Sequence, residues 1–165
     1  MRKIMIAVMA AVAMMFVSCN KAQNGGDSDV KLEGRWNAYV QGTPTTVDEA
    51  RVSFIFSGTN NVDIYIIAWG HHLKGTYEIK DGLMHFNLSL EKAQYARHLT
   101  AEFSEWWVGN MDPETFELSE GYSWLDMDDT TFQQDTDFLK DFTWEQVSAT
   151  EAKWGNMGGM TVLKQ

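Results

Sequence analysis

The side chains able to do chemistry in this sequence are few: one cysteine, four histidines and a run of aspartates. His71 and His72 are adjacent, and successive residues on a strand point to opposite faces, so the two do not converge on one ion. His85 is expected on an outward face beside Glu78, and no H-x-x-x-H or C-x-x-C spacing accompanies it or His98. Asp126, Asp128 and Asp137 fall at the first, third and twelfth places of a loop, with Asp129 and Asp135 between. A calcium loop of the EF-hand kind wants Gly at the sixth place and Glu at the twelfth, where this chain has Thr131 and Asp137. A solvated acidic loop is therefore expected over Asp126–Asp137, with loose calcium binding as the alternative. There is no G-x-S-x-G, and carboxylate pairs such as Glu102 and Glu105 are ordinary on an acidic surface. The sequence points to a non-enzyme, with no catalytic residue, no metal site and no cofactor.

Charge narrows the partners. The chain carries 13 basic and 23 acidic residues, for a net charge of −10, and has no Lys/Arg-rich run. Nucleic acid is thereby excluded as an expected partner. A single cysteine also rules out an intrachain disulfide framework.

That cysteine closes an unusual segment. Met1-Arg2-Lys3 is a positive start, and Ile4–Val17 is unbroken apolar sequence. As a helix this run reaches only about 21 Å, short of the roughly 30 Å core of a bilayer. It fits a signal peptide over residues 1–18. Phe16-Val17-Ser18-Cys19 resembles the lipobox of bacterial lipoproteins, with Phe16 in place of the commonest Leu. The resemblance implies cleavage before Cys19, diacylation of its thiol and acylation of the new N-terminus. Two or three acyl chains anchor stably where one is marginal. The implied address is the cell envelope of a Gram-negative-type bacterium, at the outer membrane, on its periplasmic or surface face. Residues 19–29 are polar, contain Gly25-Gly26 and lack periodicity, as a flexible tether would. The folded domain is expected over residues 30–165.

Within that domain the dominant period is two. Trp36, Ala38 and Val40 share a face against Arg35, Asn37, Tyr39 and Gln41. Val52, Phe54 and Phe56 alternate with Arg51, Ser53 and Ser57, and Val62, Ile64, Ile66 and Ala68 share a face. The Ser57–Asn61 stretch supplies turn residues between the last two runs. Asp81-Gly82 is a strong two-residue type I′ signal, because both central residues need positive φ. It pairs Ile79 with Met84, Tyr77 with Phe86, Gly75 with Leu88 and Leu73 with Leu90. The other face pairs Glu78 with His85, Thr76 with Asn87 and Lys74 with Ser89. One face is apolar and the other polar, as a half-buried antiparallel sheet requires. Gly75 opposite Leu88 marks packing relief or the close approach of a ligand. Further strands are expected over residues 98–108, Thr115–Ser119, Phe142–Ser148 and Met160–Lys164.

About eight antiparallel strands cover a shared apolar face by closing into an up-and-down barrel, which also removes exposed edges. Gly34-Arg35-Trp36 resembles the G-x-W opening of lipocalins and of bacterial lipocalin-like lipoproteins. Gly75-Thr76-Tyr77 followed by Asp81-Gly82 is similar to a hairpin common in those lipoprotein domains. The resemblance implies that Gly34 makes the opening turn, that Trp36 plugs one barrel end, and that a small apolar or amphipathic ligand binds inside. Trp36, Phe54, Phe56, Tyr77 and Phe86 on the inner face are the pocket candidates; the same rings would otherwise fill a closed core. The rival is a non-catalytic interaction module. Trp106, Trp107, Tyr122 and Trp124 lie outside the clear hairpins and would present aromatic surface to a glycan or an envelope protein. Oligomeric state is left open. Replacing Cys19 with Ser is expected to release the protein from membranes and abolish acyl labelling; unchanged fractionation would contradict the lipid anchor.

Overall fold

Alternation of apolar and polar residues lays the chain into antiparallel strands, seen in a computed structural model that describes residues 32–100, 111–140, 143–155 and 159–165. In chain order these are β1 (Gly34–Val40), β2 (Val52–Ser57), β3 (Asn61–Ile66), β4 (His71–Lys80), β5 (Leu83–Leu88), β6 (Gln94–His98), β7 (Tyr122–Asp126), the helix α1 (Asp129–Lys140), β8 (Trp144–Gln146), β9 (Glu151–Trp154) and β10 (Met160–Lys164). The sheet runs β7-β6-β4-β3-β2-β1-β10-β9-β8, with β5 also paired to β4. The signal segment and tether fall outside the described residues, as does nearly all of the strand expected over 98–108.

The β4–β5 hairpin follows the turn chemistry. Asp81 and Gly82 sit at φ 54° and 74°, as a type I′ turn demands. From there the register pairs Ile79 with Met84, Tyr77 with Phe86 and Gly75 with Leu88. Beyond it the expected pairing fails: Ser89 N–H still donates to Lys74 O, but Leu90 enters a short 3-10 turn instead of facing Leu73. β6 then rejoins the same edge of β4, with Tyr95 opposite His71. Gly75 has a packing reason. A Cβ there would lie 2.1 Å from Asn87 O and 2.8 Å from Leu88 Cα, so only glycine permits the two backbones to come this close.

The expected eight-stranded barrel is not what forms: ten strands make one sheet that does not close into a barrel. Two features explain the difference. β6 and β7 extend the sheet past β5 along the β4 edge, and β8 has only three residues. Among the described residues the ends of β8 and β5 meet through the Leu83–Thr143 bridge and a 3.2 Å bond from Trp144 N–H to Gly82 O. The sheet still curls strongly. The Trp144 ring from β8 lies 5.7 Å from Trp36 on β1 and 5.9 Å from Phe56 on β2, edge-on to both. Phe54 stacks at 5.9 Å on Phe56 and on Phe86 of β5, and takes Trp154 edge-on at 5.0 Å.

Two further expectations are corrected. Asp129–Lys140 is a helix, where an acidic loop was expected. Asp128 starts it by accepting from Thr131 N–H at 2.9 Å, and these bonds hold its carboxyl below the usual range. Leu139 and Asp135 are buried on its inner side, and the Phe138 ring meets Trp69 at 5.0 Å and Trp154 at 5.9 Å. The aspartates do not form a calcium loop. Asp128 is engaged by Thr131, while Asp137 accepts from Gln133 and pairs with Lys140 at 2.8 Å. Thr115–Ser119 is a turn rather than a strand, bridged only from Met111 to Leu118.

Trp36 is 1% exposed in the aromatic core. Trp36→Ala is expected to cost about 3–5 kcal/mol of stability in urea unfolding, and a near-neutral result would remove it from the core. Gly75→Ala is expected to cost about 1–3 kcal/mol through the forced separation of β4 and β5.

Candidate functional site

The two faces of the sheet differ in chemistry. Inward, Trp36, Phe54, Phe56, Tyr77 and Phe86 all lie on the apolar side, and four of them are fully or almost fully buried. Phe56 meets Tyr77 at 4.7 Å, so the five rings form part of one cluster with Trp144 and Trp154. The Tyr77 hydroxyl accepts from Leu32 N–H at 3.2 Å and lies 3.3 Å from Leu32 O, fixing the start of the domain. Lys164 Nζ sits 5.9 Å from the centre of the Trp36 ring, within the range of a cation–π contact. Among the described residues Trp36 Nε1 is buried without a hydrogen-bond acceptor.

Outward, the central polar positions of β1 and β2 are not solvated. Asn37 and Ser53 are completely buried, and Tyr39 nearly so. Ser53 Oγ donates to Asn37 Oδ1 at 2.6 Å, and Arg35 Nε donates to the same oxygen at 3.0 Å. The far end of the guanidinium reaches a turn that lies across the sheet: Nη1 donates to Glu114 O at 2.6 Å and Nη2 donates to Pro113 O. Burial lowers the Arg35 pKa, opposed by the nearby Tyr39, Glu114 and Asp112, and the group stays charged.

A row of flat groups continues from this arginine. Its guanidinium lies 4.3 Å from the centre of the Phe116 ring, and Phe116 stacks on Tyr65 at 4.0 Å and 6°. Tyr65 stacks in turn on His72 at 4.1 Å and 8°, and the Trp124 ring on β7 is tilted against His72 at 5.8 Å. β3 and β4 set the Tyr65–His72 contact by pairing these residues directly. Asp63 underlies the row, bound to His72 Nε2 at 3.0 Å and Lys74 Nζ at 3.1 Å. Burial pushes the Tyr65 hydroxyl upward in pKa, helped by Asp63.

The histidines divide as the strand period requires. His71 faces inward, where its Nδ1 lies 2.8 Å from Asp135 Oδ2 of α1, a buried pair that ties the helix to β4. His72 faces outward into the row. His85 pairs across the hairpin with Glu78, and His98 packs edge-on against Tyr122 at 5.0 Å. Trp124 and Tyr122 are half-buried on β7, whereas Trp106, Trp107, Glu102 and Glu105 lie outside the described residues. Arg35, Asn37, Ser53 and Tyr65 carry a signal in the sequence, since they are the polar or aromatic partners of an alternating pattern. Alternation alone assigns such positions to solvent, and it does not show that a distant turn meets Arg35 and Tyr65.

No family model matches this chain, and neither a curated protein nor a solved structure matches it.

His72 supplies a pH prediction. Burial lowers its pKa from the ordinary value of 6.5, opposed by its hydrogen bond to Asp63 and reinforced by Lys74. The unfolded chain therefore binds this proton first as pH falls below about 6.5. Stability is complete above that pH and declines toward the depressed folded value. Urea midpoints measured from pH 7.5 to 5 should fall more steeply for the wild type than for His72→Gln. Parallel curves would show that the ring does not titrate differently on folding.

Proposed function

We propose that this chain is a lipid-anchored envelope lipoprotein acting as a non-catalytic binding module, which recognises its partner on the outer face of the curled sheet. The observation that carries this reading is the interior itself. Phe54 is completely buried, and its ring has Phe56, Phe86, Trp144 and Trp154 within 5.0–6.2 Å. Side chains in mutual contact take the central space where an enclosed ligand would sit. The outer face instead carries Tyr65, His72 and Trp124 in one aromatic row, next to a fixed arginine. Such rows suit the flat faces of protein side chains and of sugars, because they bury apolar area while their edges keep polar contacts.

The lipocalin-like resemblance remains part of the proposal as kinship of the curled, unclosed sheet rather than as a closed barrel. Gly34 at φ 92°, Trp36 in the core and Lys164 over its indole fit the G-x-W resemblance. The Leu83–Thr143 bridge is the point where closure would occur. The resemblance of Phe16–Cys19 to a lipobox supports the anchor and the envelope location.

A small apolar or amphipathic ligand inside is the second reading, favoured by the buried Trp36 Nε1 without an acceptor among the described residues. Two measurements separate them. A photo-crosslinking amino acid at position 124 should yield adducts in intact envelopes, and one at the exposed Val147 should not. Native mass spectrometry of the detergent-solubilised lipoprotein should show no retained small molecule. A retained mass together with silence from position 124 would reverse the assignment.

A further inference from the structure

The turn over the outer face is built as a separate piece. Asp112 N–H donates to Glu117 O at 2.8 Å, and Phe116 N–H donates to Asp112 O at 2.8 Å. The Asp112 carboxylate accepts from the N–H groups of Glu114 and Thr115 at 2.7 and 2.8 Å, which also lowers its pKa. The backbone donors of Asp112, Glu114, Thr115 and Phe116 are thus satisfied inside the turn, and lifting it would strand none of them. Its polar hold on the sheet is the pair of carbonyls on Arg35, and its aromatic hold is Phe116. Phe116 stands at φ 61°, a left-handed conformation that bulky side chains rarely adopt. The sheet beneath is already organised. Asn37 and Ser53 aim Arg35, and β4 backs Tyr65 with His72.

We propose that the Asp112–Glu117 turn is an internal plug occupying a recognition slot between Arg35 and Tyr65, and that the external occupant is a peptide segment of a protein partner presenting an aromatic side chain. This inference rests on outer-face recognition and adds the chemistry of the partner and its control. The plug displays that chemistry: a ring inserted between a guanidinium and a tyrosine, and two backbone carbonyls two and three residues before it bound to the arginine fork. Peptide carbonyls satisfy the same donors when they come from another chain, and a partner that improves on a strained left-handed residue displaces the turn. Gly121 at φ 85°, whose carbonyl accepts from Leu99 N–H at 2.8 Å, fixes the chain to β6 immediately before β7, so displacement is confined to the turn ahead of it.

The test uses the full-length lipoprotein in detergent and the synthetic peptide DPETFELS, which is residues 112–119, with fluorescence anisotropy of the labelled peptide as readout. Phe116→Ala empties the slot and should bind the peptide at least tenfold more tightly than the wild type. The same peptide with Ala in place of Phe should not bind, and adding Arg35→Ala to Phe116→Ala should weaken binding at least tenfold. Far-UV circular dichroism and a cooperative melt establish that each variant is folded. If Phe116→Ala does not fold, Phe116→Leu keeps an apolar contact without a flat ring and is read by the same titration. A folded variant that binds no better than the wild type, or that binds the Phe-less peptide equally, overturns the plug. Failure of the peptide while position 124 still yields its adducts refutes the plug alone. Loss of those adducts refutes outer-face recognition.

Discussion

Phe54 is the point on which the curvature of this protein turns. It belongs to β2, yet its ring is stacked on Phe86 from β5 and met edge-on by Trp144 from β8 and Trp154 from β9. Those strands are separated from β2 by two or three others in the sheet order, so the rings meet only because the sheet bends over its apolar face. Burying these rings removes a large apolar area from water, and edge-on and offset contacts add a smaller directional gain. The helix belongs to the same arrangement. Its Phe138 closes on Trp154 and Trp69, and Asp135 secures it to His71. A ten-stranded sheet with one sided alternation has to cover that side, and here the cover is its own far edge together with α1.

This solution has a consequence for the opposite face. Bending brings strand neighbours on the convex side apart, and exposed polar side chains there would ordinarily be solvated. Asn37, Ser53 and Tyr39 are instead buried. Burial of such groups costs free energy unless each finds a partner, and Arg35 with the Asn37–Ser53 pair provides them. A purely structural solution would place apolar residues there. Here a polar network positions one arginine, and that arginine holds the chain's own turn.

Much of the sheet was legible because period two and turn chemistry are local. Asp81-Gly82 set the register of six residue pairs, from Gly75–Leu88 to Lys80–Leu83, and His71 and His72 parted as adjacent strand residues must. The helix was not legible because its sequence is mostly polar. Only Phe132, Phe138 and Leu139 mark a stripe in Asp129–Lys140, and its inner side includes a buried aspartate whose partner lies 64 positions away. The open edge of the sheet is hidden from the sequence for a related reason. Strand number and alternation do not reveal that β6 continues along the edge that β5 already uses. The inner aromatic candidates share one face as the alternation requires, whereas the Arg35–Phe116–Tyr65 contact joins residues up to 81 positions apart, and no short-range pattern encodes it.

The two faces also differ in how easily each could change occupant. Opening the inner cluster would separate Phe54 and Trp36 from rings on several strands, so their burial is tied to the stability of the whole domain. The Asp112–Glu117 turn keeps its own backbone bonds, and among the described residues it meets the sheet at the Phe116 ring and the Arg35 guanidinium, with Met111 buried at its base. Its displacement would leave the inner aromatic cluster in place, since no residue of the turn belongs to that cluster. The proposed recognition of a partner requires this separation of scales, with a rigid platform beneath and a cover whose binding free energy is small enough for another ligand to match. Arg35 meets the first need, because Asn37 and Ser53 fix its direction from below. Phe116 meets the second, because the left-handed backbone that delivers its ring to Tyr65 offsets part of what the stacking contributes.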